Sequence, residues 1–156
     1  MASLLSLDIS GAFPTVNHTR LVANIRKLGF PSWLQHWVQS FLEGRVSTLV
    51  INGVESDVFP IQAGLPQGSP LSPILFLLYN EELLQIANRP SLGVHSVGFI
   101  DDINLLAYSK STEQNCATLS QVHDRCLEWA QRHGMAFAPQ KYELIHFTTA
   151  RKRHNL

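Results

Sequence analysis

The sequence predicts an α+β fold with a mainly antiparallel sheet and helices packed on one face of it. Segments with the spacing of buried strands alternate with segments whose apolar residues recur every three or four positions. The resulting order is β-α-α-β-β-α-β-β-α-β-β, which is typical of the α+β class. With 156 residues the chain has the length of one domain, so we expect residues 1–156 to form a single domain.

Composition and charge exclude several classes of protein. Twelve Lys and Arg balance twelve Asp and Glu, and charged residues make up 15% of the chain, below the ~25% of an average globular protein. These values exclude a disordered tail and a disulfide scaffold and argue against a free-standing nucleic-acid binder. The apolar run from Ile74 to Tyr79 is too short to span a membrane, so no membrane partner is expected. We expect Arg151–Arg153 to be a solvated tail.

One strand and two helices are predicted early in the chain. Ser3–Ile9 has the pattern of a short buried strand. Asn17 is predicted to cap a helix over His18–Leu28, and Gly29 to end it. Pro31 fits the first turn of a second helix. That helix is predicted to carry its apolar side chains on one side: Trp33, Leu34, Trp37, Val38 and Phe41.

A hairpin and a second mixed region follow. The Asn52-Gly53 pair predicts a type I′ turn between strands Val46–Ile51 and Val54–Phe59. Ile61–Ser69 is predicted to be a loop, and a long helix follows it, beginning at Pro70 or Pro73 and ending at Ala87. The remaining predicted elements are two strands, a long helix stopped by Gly134, and two short strands: Val94–Phe99, Ile103–Tyr108, Thr112–His133, Met135–Phe137 and Tyr142–Phe147.

Three carboxylates at the ends of predicted strands are candidate metal ligands. Asp101 and Asp102 stand between two strands, and Asp8 ends the first one. Adjacent carboxylates repel unless a cation lies between them or one is protonated, and sites rich in carboxylate oxygen suit Mg²⁺ or Mn²⁺. If the strands are neighbours, the three side chains would make a two-metal clamp for phosphoryl transfer. The alternatives are a solvated acidic turn and, for Asp8, a helix cap or turn residue.

The segment from Gly64 to Pro73 is a second candidate site. Its two glycines, Gly64 and Gly68, allow the backbone to pass close to a ligand. A helix begins after it, and the N-terminus of a helix favours phosphate. A helix-start signal alone would explain the serines and prolines, but not Gln67 between two glycines.

Taken in order, these segments resemble the palm of a reverse transcriptase from a non-LTR (LINE-type) retrotransposon, of a kind common in fungi. Residues 7–13 resemble the first motif of that family, an Asp followed five residues later by an aromatic residue. Residues 64–73 resemble the second motif, residues 99–102 the third, and Lys141 the lysine of the fourth. The resemblance implies a reverse-transcriptase palm that is a fragment of a larger polymerase, with fingers and thumb absent or incomplete.

The resemblance implies the catalytic and metal-binding residues. Asp8, Asp101 and Asp102 would hold two Mg²⁺ ions, or Mn²⁺ in their place, which activate the primer 3′-hydroxyl and neutralise the triphosphate. Lys141 would be the general acid that protonates the pyrophosphate leaving group. The alternative for Lys141 is a solvated lysine in a turn.

The resemblance also implies the residues that bind the nucleotide. The backbone of residues Ile9 to Ala12 would lie along the triphosphate, and Phe13 would exclude a ribose 2′-hydroxyl; the alternative for Phe13 is a core aromatic. The templating base and the incoming nucleotide would be supported by Gly64, Pro66, Gln67 and Gly68. Pro14 departs from the motif, because relatives commonly have Asp there, and proline fixes φ and removes an N–H.

The implied function is that of an RNA-directed DNA polymerase acting in a longer parent chain on an RNA template, a DNA primer and dNTPs. We expect an intracellular protein, in the nucleus or cytoplasm within a retrotransposon ribonucleoprotein, and assign no oligomeric state. The isolated chain is expected to be inactive. One alternative is a non-catalytic remnant of a truncated element, which binds metal or serves as a scaffold. Another, a metal phosphatase or nuclease, leaves residues 64–73 unexplained.

Overall fold

A computed structural model of the chain describes residues 1–148, and the predicted tail Arg151–Arg153 lies outside them. The helices are α1 (His18–Lys27), α2 (Ser32–Leu42), α3 (Ser72–Ala87) and α4 (Thr112–His133). The strands are β1 (Ala2–Ser10), β2 (Val46–Ser47), β3 (Val50–Ile51), β4 (Val54–Glu55), β5 (Phe59–Pro60), β6 (Val94–Phe99), β7 (Asp102–Tyr108), β8 (Ala136–Phe137) and β9 (Glu143–Phe147). Within residues 1–148, every helix is too short or too polar to cross a membrane.

The chain divides into two compact units, the first made of residues 1–10 and 80 onward and the second of residues 11–79. In the first unit, β1 lies at the centre of a five-stranded antiparallel sheet. One edge of β1 pairs with β7, which in turn pairs with β6. The other edge pairs with β9 along residues 2–6 and with β8 at residues 9 and 10. Strands from three distant parts of the sequence therefore meet at β1.

The two faces of this sheet differ in burial. Because successive side chains on a strand alternate between faces, Leu7 on β1 and its partner Ile103 on β7 share one face with Leu105, and all three are buried. The long helix α4 packs against β1, β7 and β8 and contributes Trp129 to this core. The opposite face is exposed and carries Phe99 among other large apolar side chains. The prediction of helices on one face is confirmed in this unit.

Local signals fix the ends of α4. The hydroxyl of Ser111 accepts a hydrogen bond from the N–H of Gln114, which caps the N-terminus. Gly134 ends the helix in the left-handed conformation with φ +66°, a backbone that glycine adopts without strain. The range of the helix and its end at Gly134 are as the sequence predicts, and the Ser111 cap is found in the structure.

In the second unit, α1 and α2 pack together. The Asn17 side chain accepts from the N–H of Arg20 at 2.9 Å and caps α1 as predicted. On α2 the residues that are buried are Val38 and Leu42. Trp33 and Trp37, which were predicted to lie with them on the apolar side, are 67% and 50% exposed. The prediction was wrong for the two tryptophans because this short helix buries a narrower stripe than its composition suggests.

The predicted hairpin of this unit forms, but in two parts. Asn52 and Gly53 both have positive φ, 53° and 81°, which confirms the type I′ turn. The ladder shifts by one residue between β3–β4, where Val50 pairs with Glu55, and β2–β5, where Ser47 pairs with Phe59. Three residues on one strand therefore oppose two on the other, which is a β-bulge.

Candidate active site

Asp8 and Asp102 are direct cross-strand partners on β1 and β7. The next pair, Ile9 and Asp101, is joined by a hydrogen bond from the Ile9 N–H to the Asp101 carbonyl at 3.3 Å. Because hydrogen-bonded and non-hydrogen-bonded pairs alternate along an antiparallel ladder, the Asp8–Asp102 pair is of the non-hydrogen-bonded kind, in which side chains approach most closely. Two carboxylates thus lie side by side on the exposed face of the sheet.

Asp101 lies in the two-residue turn that joins β6 to β7. The other turn residue, Ile100, has a φ of +56°, a conformation that a β-branched residue rarely adopts. The side-chain amide of Asn80, a buried residue of α3, donates to the Ile100 carbonyl over 3.5 Å. The backbone strain of this turn therefore falls on Ile100, and a buried side chain braces the turn.

Lys141 lies on the carboxylate of Asp8. Its ammonium is 3.0 Å from Oδ2 and 3.2 Å from Oδ1. The Asp8 side chain is 18% exposed and that of Lys141 is 61% exposed. The structure therefore brings together the side chains of Asp8, Asp102 and Lys141. Asp101 joins this group only through its backbone carbonyl, which accepts from the Ile9 N–H.

The carboxylates of Asp8, Asp101 and Asp102 are ligands of the type that hard divalent cations prefer, but the three side chains do not converge on one point. Among residues 1–148, no group of three or more His, Cys, Asp and Glu side chains is arranged to hold a metal ion. Asp8 and Asp102 share a face, whereas side chains one residue apart on a regular strand point to opposite faces. The carboxylate oxygens of Asp8 and Asp102 are of the kind that Mg²⁺ and Mn²⁺ prefer. The metal-ligand roles of Asp8, Asp101 and Asp102 all stay predictions.

The glycine-rich segment forms a separate cluster in the second unit. The Gly64 N–H donates to the Val16 carbonyl at 2.8 Å, and the Leu65 N–H donates to the Phe13 carbonyl at 2.9 Å. Gly64 has a φ of +87°, and a Cβ added to it would lie 2.9 Å from the carbonyl oxygen of Pro14. Only glycine allows this approach, so the loop is held against the segment that carries Phe13.

Gln67 is presented at the tip of a tight turn. The Ser69 N–H donates to the Pro66 carbonyl at 3.3 Å, and Gly68, at the third position, has a φ of +85°. This is the pattern of a type II turn, which requires a positive φ at its third residue. The exposed Gln67 occupies the second position. Its side chain projects from a fixed backbone, as a residue that contacts a ligand requires.

One cavity joins the predicted nucleotide-binding residues of this unit. It has a volume of about 400 Å³ and is lined by Phe13, Pro66, Gln67 and Gly68 together with Ser69, Ser72 and Pro73. The ring of Phe13 is half-buried, with its centroid 5.3 Å from that of Phe76. Phe13 is therefore packed on one side and exposed to the cavity on the other.

Pro14 fits its position without distortion. It follows Phe13 in a turn where the Val16 N–H faces the Phe13 carbonyl at 3.5 Å. The second residue of such a turn is the position at which proline is favoured. The departure from the family motif at Pro14 therefore leaves the Phe13 turn intact.

Two site residues were missed by the sequence reasoning. The His18 Nε2 atom lies 2.8 Å from the Gly64 carbonyl, which also accepts from Arg45 at 3.3 Å. Asn80 braces the Ile100 turn from α3, where Glu81 and Glu82 follow it directly. Beside these charged residues, the burial of Asn80, which requires a buried hydrogen-bond partner, could not be predicted from the sequence. No local signal marked His18, whose partner is 46 residues away.

A family model described as reverse transcriptase (RNA-dependent DNA polymerase) matches residues 2–156. The chain belongs to the reverse transcriptase family. This confirms the family that the motif order predicts.

Relatives within the family come from non-LTR retrotransposons, as predicted. The chain is 28% identical to the Retrovirus-related Pol polyprotein from type-1 retrotransposable element R2 of Popillia japonica, over 97% of this chain and 25% of that protein. It is 31% identical to the RNA-directed DNA polymerase from mobile element jockey of Drosophila melanogaster, over 90% of this chain and 16% of that protein. The chain thus spans a quarter or less of these relatives, and neither supports the fungal subtype.

Solved structures share the fold at low identity. Telomerase from Candida tropicalis in complex with the TWJ fragment of telomeric RNA superposes with a TM-score of 0.67 at 15% identity, covering 92% of this chain and 26% of that one. A truncated apo telomerase from the same organism gives a TM-score of 0.59 at 14% identity, over 97% of this chain and 32% of that one. The fold of this reverse transcriptase domain is palm-like, as predicted.

Proposed function

We propose that this chain is the palm of an RNA-directed DNA polymerase, which transfers deoxynucleotides to the 3′-hydroxyl of a DNA primer on an RNA template within a longer parent protein. The observation that carries the proposal is the Asp8–Asp102 pair on the exposed face of the sheet, with the Lys141 ammonium on Asp8. Membership of the reverse transcriptase family supports the class of reaction.

Asp8 and Asp102 are the residues that would hold divalent metal, and Asp101 joins them in the proposal. When bound, a pair of Mg²⁺ ions favours ionisation of the primer 3′-hydroxyl and neutralises the charge of the triphosphate and pyrophosphate. The chain itself supplies the fixed spacing between Asp8 and Asp102, because both sit on paired strands rather than on loops. Positioning of this kind is the main contribution that a protein makes to phosphoryl transfer.

Lys141 is proposed to be the general acid. The primer oxygen forms a bond to the α-phosphorus while the bond from that phosphorus to the pyrophosphate oxygen breaks. The proton of the 3′-hydroxyl leaves to solvent, and the Lys141 ammonium gives a proton to the departing pyrophosphate. Its 61% exposure leaves the ammonium accessible to a leaving group.

The cavity lined by Phe13 and Gln67 is proposed to take the sugar and base of the nucleotide. An aromatic ring packed against Phe76 cannot retract freely, so Phe13 would clash with a ribose 2′-hydroxyl and select deoxynucleotides. Gln67, with Gly64, Pro66 and Gly68 holding its turn, would contact the base. Ile9 is buried and its N–H is engaged by the Asp101 carbonyl, so the proposed backbone contact with the triphosphate falls to the residues that follow it, 10–12.

Primer extension by the full-length parent protein tests the metal-ligand assignment. Asp101→Ala is expected to abolish extension of an RNA-templated DNA primer in Mg²⁺. Asp57→Ala, which removes an exposed carboxylate of the second unit, is the matched control and should leave extension intact. Extension that is unchanged in Asp101→Ala would overturn the assignment. The isolated 156 residues are expected to show no processive extension.

Sugar selection tests the role of Phe13 separately. Phe13→Ala is expected to increase incorporation of ribonucleotides relative to deoxynucleotides, and Phe41→Ala on α2 is the aromatic control. If the ratio of ribonucleotide to deoxynucleotide incorporation were unchanged, Phe13 would be a core aromatic residue only.

A full-length parent protein that binds Mn²⁺ but extends no primer would instead favour the alternative of a non-catalytic remnant.

A further inference from the structure

The contact between Lys141 and Asp8 uses the oxygens that a metal would need. The ammonium lies within hydrogen-bond distance of both carboxylate oxygens, at 3.0 and 3.2 Å. Asp102 stands beside Asp8 on the paired strand, and like charges directly opposite on a sheet destabilise it. The lysine therefore neutralises one member of a repelling pair.

The backbone delivers the lysine to this place. β8 pairs with the end of β1, and the N–H of Ala138 then donates to the carbonyl of Asp8 at 2.9 Å. One turn of 3₁₀ helix over Pro139–Lys141 follows, in which the Lys141 N–H donates to the Ala138 carbonyl at 2.9 Å. A chain of backbone hydrogen bonds therefore runs from Asp8 itself to the residue that carries the ammonium.

An ammonium that contacts both oxygens of a carboxylate competes with a divalent cation for that carboxylate. Both take the oxygen lone pairs, and two cations at bonding distance from one carboxylate repel each other. Any free energy that holds Lys141 on Asp8 is therefore subtracted from the binding of metal at Asp8, and the coupling is reciprocal.

We infer that Lys141 is a displaceable counter-cation of Asp8, so that binding of a divalent metal at Asp8 releases the Lys141 ammonium from the carboxylate. Lys141 is in this respect a residue that sets metal affinity, in addition to any proton transfer. The inference rests on the proposed function, because it takes Asp8 as a metal ligand. It goes beyond that function by coupling metal binding to the position of the lysine.

The affinity of the 156-residue chain for Mn²⁺, measured by electron paramagnetic resonance, tests the inference without any catalysis. Lys141→Met is expected to bind Mn²⁺ about two- to fivefold more tightly than the natural chain, the range that an exposed ion pair allows. Lys141→Arg keeps the charge and should bind like the natural chain. Lys110→Met removes one cation beyond the far end of β7 and should also leave the affinity unchanged.

A second readout follows the lysine directly. In nuclear magnetic resonance spectra, addition of Mg²⁺ should shift the Lys141 Nζ signal in the natural chain. It should leave that signal unmoved in Asp8→Asn. Because the Lys141 side chain is mostly exposed, its replacement is not expected to disturb folding, and the circular dichroism of each variant checks this.

The outcomes separate the inference from the proposed function. Loss of Mn²⁺ binding in Asp8→Asn together with an unchanged affinity in Lys141→Met would overturn the inference and leave the metal site standing. An affinity for Mn²⁺ that is unchanged in Asp8→Asn would overturn both the proposed metal site and the inference. If Lys110→Met increased the affinity for Mn²⁺ as much as Lys141→Met does, the effect would be one of net charge alone, and the inference would also be overturned.

Discussion

Gly64 lies against the backbone of Pro14, so closely that an added Cβ would stand 2.9 Å from the Pro14 carbonyl oxygen and 3.0 Å from its Cα atom. The glycine-rich motif and the turn after the first motif are thus joined by backbone contact within one unit. This explains why a glycine is needed at a point where the chain only passes by another segment.

Alanine substitutions at Gly64 and Gly68 are expected to differ in cost. Both residues have φ near +86°, at +87° and +85°, so alanine at either position costs roughly 1–2 kcal/mol of left-handed strain. At Gly64 the clash with Pro14 adds about 1–3 kcal/mol, whereas a Cβ at Gly68 meets open space. Urea unfolding of the two variants checks this, and equal unfolding midpoints would contradict it.

Removal of one carboxylate of the Asp8–Asp102 pair is expected to stabilise the protein. Without divalent ions and with Lys141→Met in the background, so that no ammonium neutralises Asp8, Asp102→Asn should raise the free energy of unfolding by about 0.2–1 kcal/mol, because like charges directly opposite on a ladder repel. Asp57→Asn is the control for loss of a single charge. The gain should shrink in 1 M salt, which screens the repulsion. A lower free energy of unfolding in Asp102→Asn would contradict this, because it would mean that favourable contacts of Asp102 outweigh its repulsion from Asp8.

The turn at Ile100 is expected to store strain. Ile100→Val keeps a β-branched residue at φ +56°, whereas Ile100→Gly removes the steric conflict. We expect the glycine variant to unfold with a free energy about 1 kcal/mol higher than the valine variant. Thermal unfolding of the pair measures the difference. A valine variant as stable as the glycine variant would show that the turn is unstrained.

His123 is expected to make the free energy of unfolding depend on pH. Burial lowers the pKa of His123, and the nearby Asp124 carboxylate opposes this less strongly. A histidine with a lowered pKa in the folded state resists protonation. The neutral His123 side chain therefore contributes fully to the free energy of unfolding above the ordinary histidine pKa of about 6.5. This contribution is lost as the pH falls from there to the pKa of His123 in the folded state. His123→Gln should flatten the fall of the unfolding temperature between pH 7.5 and pH 5, and the exposed His36→Gln should not.

Local signals in the sequence predict most of the elements. The Asn17 cap, the Asn52-Gly53 turn and the Gly134 stop each depend on residues within one turn of the site, and each appears in the structure. The ends of strands shift by one or two residues. The most consequential shift is at β7, which begins at Asp102 rather than Ile103. Asp102 therefore belongs to the ladder instead of the turn.

Features that depend on distant partners could not be predicted in this way. The bulge between β3–β4 and β2–β5, the exposure of Trp33 and Trp37 and the bracing of Ile100 by Asn80 all depend on how separate segments pack. The site residues themselves were found because their order along the chain resembles a family. The geometry that pairs Asp8 with Asp102 then comes from the strand register.

The position of β1 has a consequence for synthesis of the chain. The strand that carries Asp8 is made before its partners, which are residues 102–108 on one edge and 143–147 on the other. At translation rates of about 5–20 residues per second, β1 waits roughly 5–20 seconds for its first partner and longer for its second. During that interval Leu4, Leu5 and Leu7 have no sheet to join. A long wait of this kind also predicts slow refolding, because pairing over such sequence separations raises the contact order.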